Sequence, residues 1–80
     1  MKKNINIEKF IFRELVLINK KYKKFEKKTN FFDEGIDSLD FFSLIFKIEK
    51  KFLIKISSKR YNSLNNVKKL ADVIKKNSKL

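Results

Sequence analysis

The chain has 80 residues, 42% of them apolar, with no cysteine, histidine or proline and a single glycine. That length holds one small core. The missing residues exclude disulfides, thiol catalysis, histidine triads and histidine-based metal sites, and the lack of turn punctuation argues against a many-stranded fold. The net charge of +12 gives affinity for polyanions at low salt. However, Lys, Ile, Phe and Asn, all encoded by A/T-rich codons, supply 46 of the 80 residues, and arginine occurs only at Arg13 and Arg60. Biased coding is therefore a sufficient source of the charge.

The expected class is a small soluble all-α protein, one domain over residues 1–80, monomeric and cytoplasmic. No apolar run approaches the roughly 18 residues of a membrane span. Met1-Lys2-Lys3 is basic, but no apolar signal core follows it.

Ile7, Phe10, Ile11, Leu15 and Ile18 recur at spacings of three and four, which predicts an amphipathic helix over about residues 5–20, capped by Asn4 or Asn6. Residues 21–36 read as a long loop. Its first part is rich in lysine, with Tyr22 and Phe25 as apolar contacts, and it ends at Gly35. A second periodic run begins at Ser38. Leu39, Phe42, Ile45, Phe46 and Phe52 share one side, and Phe41, Leu44 and Ile48 widen the apolar arc. This helix should be central. Residues 53–56 alternate but have no strand partner, so they read as an extended link. Ser57 is the expected N-cap of a short helix to about Asn62. Asn65 is the expected N-cap of a last helix carrying Val67, Leu70, Ala71 and Ile74, with residues 77–80 fraying. The expected fold is a four-helix bundle, three longer helices and one short, with a long loop between the first two.

Charge is distributed unevenly. Residues 31–40 carry Asp33, Glu34, Asp37 and Asp40 and no base, in an otherwise basic chain. These carboxylates have neither a glycine-spaced ligand loop nor a terminal bidentate glutamate, so no metal site is assigned. The chain offers Ser38 no histidine base, so Ser38 is not a self-sufficient catalytic nucleophile. On the residues alone, Ser38 is also readable as a simple N-cap, with Asp37 and Asp40 as acids favoured by the helix dipole.

The run Gly35-Ile36-Asp37-Ser38-Leu39 resembles the modification site of acyl carrier proteins, where a Gly-x-Asp-Ser-Leu core opens the second helix. Ile48-Glu49, Phe52, Ile54, Ile56 and Asn65-Asn66-Val67 are similar to later positions of that family, in register without a gap from Asp33 to Ile74. The resemblance implies a bundle of acyl-carrier type and a covalent 4′-phosphopantetheine arm on Ser38, flanked by Gly35 and Asp37. The implied partners are a phosphopantetheinyl transferase and acyl ligases, synthases or acyltransferases, docking on Leu39, Asp40, Phe42, Phe46 and Glu49. It also implies a carrier of acyl thioesters rather than an enzyme. Phe41, Ile45, Ile48, Phe52, Leu70 and Ile74 are expected in the core.

The chain departs from the family pattern in three ways. The second helix carries Lys47, Lys50 and Lys51 where the family is acidic. Ser57 stands where Pro is usual, and Glu34 stands where an apolar residue is usual. The charge reversal points to a specialised lipid or cell-surface acylation pathway. General fatty-acid synthesis and aminoacyl or peptidyl carriage remain alternatives. From another class, so does a basic helical module for nucleic acid or anionic membrane, although no specific nucleic-acid partner and no integral membrane segment are expected.

Overall fold

The computed structural model describes residues 6–78, and these contain three α-helices and two 3₁₀ helices with no strand. Helix α1 spans Ile7–Ile18. Asn6 caps it, its side-chain oxygen accepting the Lys9 N–H at 2.9 Å. The alternative cap, Asn4, lies outside the described residues. Ile11 and Leu15 are fully buried, and Ile7, Phe10 and Ile18 pack at the core edge. The helix ends at Ile18, the last residue of the apolar series and short of the expected bound near residue 20, because Asn19 serves two elements. Its N–H donates to the Leu15 carbonyl, and its side chain accepts the Lys21 N–H. That second bond opens a 3₁₀ helix, Lys20–Lys24, where the sequence reads as loop.

Helix α2 spans Ser38–Phe52 and α3 spans Val67–Asn77, and α1 packs against both. The core candidates Phe41, Ile45, Ile48, Phe52, Leu70 and Ile74 are all buried, as is Leu44. Phe10 meets Phe52 edge-on, with ring centroids 5.3 Å apart. The second 3₁₀ helix, Ser58–Ser63, is the expected short element, with Ser57 as its N-cap. The last helix is capped by Asn66 rather than Asn65. The Asn66 side chain accepts the Lys69 N–H, while the Asn65 carbonyl accepts the Phe31 N–H. Asn77, expected to fray, is the last helical residue. Residues 79 and 80 lie outside the described residues.

The long loop is pinned at both ends of the last helix's entry. The Phe31 N–H donates to Asn65 at 2.8 Å, and the Lys68 N–H donates to the Lys27 carbonyl at 3.1 Å. Around those points the rings of Tyr22, Phe25, Phe31 and Phe41 follow one another at centroid distances of 5.1, 5.7 and 6.2 Å. Phe41 continues the chain to Tyr61 at 5.6 Å. This aromatic series joins the loop to α2 and the second 3₁₀ helix, and takes the place of the secondary structure the loop lacks.

Residues 53–56 form the expected extended link. Ile54 and Ile56 are buried, and Leu53 and Lys55 are exposed. Leu53 ends α2 in the left-handed region, at φ 57°. That conformation costs a non-glycine residue roughly 1–2 kcal/mol. It is offset because it turns the chain so that both isoleucines reach the core.

Phe31→Ala should destabilise the protein by about 3–5 kcal/mol, most of the stability expected at this size. Phe46→Ala, at an exposed position, should change stability by less than about 0.5 kcal/mol. Urea denaturation of the two variants measures the difference.

Candidate functional site

The acidic segment folds into one tight turn followed by a helix start. Asn30 organises the turn, its side-chain oxygen accepting the N–H groups of Phe32 and Asp33 at 2.9 and 3.1 Å. Gly35 closes it at φ +76°, where an L side chain is strained, and the Ile36 N–H returns to the Phe31 carbonyl. Glu34 is exposed and pairs with Lys24 at 3.8 Å, so a charged residue is tolerated there.

Asp37 is the N-cap of α2. Its carboxylate accepts the Leu39 N–H at 2.8 Å, and its carbonyl accepts the Phe41 N–H. Ser38 is therefore the first helical residue and not the cap. Its side chain is exposed and makes no hydrogen bond among the described residues. The simple N-cap reading of Ser38 is thereby removed, because the capping oxygen belongs to its neighbour. A hydroxyl at this position lies beside the positive end of the helix dipole, which favours an attached phosphate.

Tyr22 fixes this geometry from beneath. Its ring is buried, its hydroxyl oxygen accepts the Asp37 N–H at 3.2 Å, and its O–H donates to Asp40 Oδ2 at 2.5 Å. Burial pushes the phenol above its usual range, and the hydrogen bond to Asp40 acts in the same direction. Sequence reasoning saw Tyr22 only as an apolar contact. The partner of its hydroxyl lies 18 residues away, and no local pattern announces it.

The other candidates separate into two groups. Leu39 and Phe46 are exposed (73% and 63%), and Phe42 is partly covered (41% exposed) against Tyr61. Glu49, further along the helix, turns to the link instead, its carboxylate accepting the Ile56 N–H at 2.8 Å. Asp40 and Glu49 thus each hold an internal donor. Among the described residues no group of three or more potential metal ligands comes together, and Asp37 and Asp40 are already engaged. A cleft of about 280 Å³ opens beside Ser38, walled by Phe32, Phe41, Phe42 and Tyr61. Phe32 and Tyr61 were not singled out from sequence, because neither belongs to a long apolar period.

These residues fit a phosphopantetheine group. The hydroxyl makes no hydrogen bond among the described residues, it lies at the helix N-terminus, and beyond the adjacent residues no atom lies within 4 Å of the position a Gly35 Cβ would take.

The comparisons with known proteins point the same way. The family described as phosphopantetheine attachment site matches residues 23–74. An acyl carrier protein of Buchnera aphidicola subsp. Acyrthosiphon pisum (strain Tuc7) is 39% identical over 77 residues, covering 92% of each chain. One from Buchnera aphidicola subsp. Schizaphis graminum is 37% identical over 76 residues, covering 92% of this chain and 96% of its own. No solved structure matches at comparable significance.

Tyr22→Phe should cost about 1.5 kcal/mol, since it removes a hydrogen bond to a charged group that is half-exposed. The raised phenol pKa means that the native state keeps a proton that the unfolded chain releases. The stabilisation should thus be complete below the unfolded value near 10.0 and should fall as pH rises through the higher folded value. Urea midpoints of wild type and Tyr22→Phe should differ by a constant amount up to about pH 9 and converge above pH 10. Gly35→Ala should cost about 1 kcal/mol through backbone strain alone, since a methyl group there meets nothing. With the attachment-site family matching residues 23–74, more than half of the chain, and carrier relatives aligned nearly end to end, the chain belongs to the acyl carrier protein family, whose members bear a covalent 4′-phosphopantetheine group.

Proposed function

We propose that the chain, as one domain, carries acyl groups on a 4′-phosphopantetheine arm attached to Ser38, and that it is a carrier and not a catalyst. The observation that supports this most is the division of labour at the start of α2. Asp37 supplies the cap, and Ser38 presents an exposed hydroxyl without an internal partner. No histidine exists to activate that hydroxyl, so the activating base and the phosphopantetheine donor come from a phosphopantetheinyl transferase. When attached, the group supplies the thiol that holds acyl chains as thioesters.

The residues of the chain do the rest. Gly35 and the Asn30-based turn bring the backbone into α2, Asp37 holds the first turn, and Tyr22 anchors both. Leu39, Phe42 and Phe46 form the apolar part of a docking face for ligases, synthases or acyltransferases. Asp40 and Glu49 contribute to that face only through oxygen atoms not already holding Tyr22 and Ile56.

The basic surface favours a specialised lipid or cell-surface acylation pathway, with enzymes matched to an unusual carrier. General fatty-acid synthesis is the second reading, favoured by relatives that align over nearly their whole length under the plain name acyl carrier protein. The setting proposed for either is the cytoplasm. No helix among the described residues is long and apolar enough to cross a membrane.

Intact mass after incubation with coenzyme A and a transferase provides the test, using a broad-specificity enzyme and then the host's own. Wild type should gain one phosphopantetheine, and Ser38→Ala should gain none. A gain in both proteins, or in neither with either enzyme, overturns the assignment.

A further inference from the structure

Seven of the nine acidic side chains are engaged inside the molecule. Glu8, Glu14, Glu34 and Asp72 pair with lysines, Asp37 caps α2, Asp40 holds Tyr22 and Glu49 holds Ile56. Only the carboxylates of Glu26 and Asp33 have no internal partner among the described residues. Lysines show the opposite distribution, and on α2 this has a direct consequence. Leu39, Phe46 and Lys50 lie on one exposed stripe of the helix, spaced by seven and four residues; Lys47 and then Lys51 follow on the side of the helix toward Phe10 of α1. The stripe begins next to Ser38, becomes apolar at its centre, and ends in cations at the helix C-terminus, where the dipole also favours them.

We infer that the enzymes that act on this carrier grip α2 with an acidic surface, an apolar recess receiving Leu39 and Phe46 and carboxylates facing Lys47, Lys50 and Lys51. This deepens the carrier reading and rests on it. The occupant follows from charge complementarity. A basic docking surface would bring like charges together around the apolar centre, which costs binding and slows encounter. A second copy of this chain is disfavoured in the same way, since each copy carries net charge +12 and would present the same lysines. Lys50 and Lys51 are exposed and have no ion-pair partner among the described residues, so their charge is available to a partner. Lys47 is partly engaged by Glu14 at 3.6 Å.

A charge-swap experiment tests this. One enzyme is a broad-specificity phosphopantetheinyl transferase whose carrier-docking surface is basic. The other is the same transferase with those docking bases changed to glutamate. The substrates are wild type, Lys50→Glu/Lys51→Glu and Phe46→Ala, with Ser38→Ala as a blank. Lys47 is left in place because its loss would strand Glu14, and thermal melts establish that each variant folds. Wild type should be modified about tenfold faster by the glutamate-surfaced enzyme, and the double variant should reverse that preference. Both preferences should shrink as salt is raised. Phe46→Ala should slow both enzymes without changing which is faster.

Equal preference in wild type and the double variant overturns the inference while leaving the carrier reading intact, because Ser38 is still modified. So does a double variant that keeps the wild-type preference but no longer sediments with phosphatidylglycerol vesicles, which would make the lysines a lipid-binding surface. Failure of both enzymes to modify wild type at any salt concentration removes the carrier reading, and this inference with it.

Discussion

The phenol of Tyr22 is the joint on which the site depends. It is one oxygen, under the start of α2, that accepts a hydrogen bond from the Asp37 backbone N–H and, through its own O–H, donates one to the Asp40 carboxylate. Removing it would take away two hydrogen bonds that tie the first turn of α2 to the segment beneath it, leaving the apolar contacts of Ile36 and Phe41. A tyrosine suits this position because its ring also begins the aromatic series through Phe25 and Phe31, so the polar anchor and the loop core are one residue. Apolar packing alone would set the loop at roughly the right distance. The two hydrogen bonds set the orientation of the helix start, and hence of the Ser38 hydroxyl.

The same economy governs the acids. A protein with many lysines and few carboxylates satisfies its caps, its link and its buried donors first. Glu49 illustrates the rule. Its place on α2 suggests a surface role, yet its carboxylate closes the turn after the helix by accepting the Ile56 N–H. Leu53 is held in a left-handed conformation one residue past the helix end, and Ile54 and Ile56 are drawn inward. On α2 the carboxylates of Asp40 and Glu49 are aimed at internal donors, while Lys50 and Lys51 face solvent without an ion-pair partner among the described residues.

Much of this was legible in the sequence, for physical reasons. The stripes of α1 and α3 repeat at helical spacing because each helix turns one face to the core, with Ile11, Leu15, Val67, Leu70, Ala71 and Ile74 buried; on α2 the expected side divides, Ile45 and Phe52 being buried with Phe41, Leu44 and Ile48 while Leu39, Phe42 and Phe46 face outward. The only glycine falls where a positive φ is required, and Ser57 caps the short helix as its side chain suggests. What escaped local reading depends on distant partners. Asn65 and Asn66 are equally good caps in isolation, and the choice between them is made by the loop, because Phe31 uses the Asn65 carbonyl. The 3₁₀ turn at Lys20–Lys24 has no apolar period, since one buried ring, Tyr22, is all it contributes to the core. At the candidate site, Ser38, Asp37 and Gly35 were readable as a motif, but the anchor beneath them and the wall formed by Phe32 and Tyr61 were not.

The backbone bond from Phe31 to Asn65 closes a ring of more than thirty residues that contains the whole of α2. Contacts between residues so far apart in sequence carry a loop-closure entropy that must be met before they return any stability. The turn that leads into Ser38 is thus held in part from the far side of the ring, at the entry to α3. A chain unravelled at α3 would lose that bond and the support it gives the turn even though none of the turn's own residues had changed.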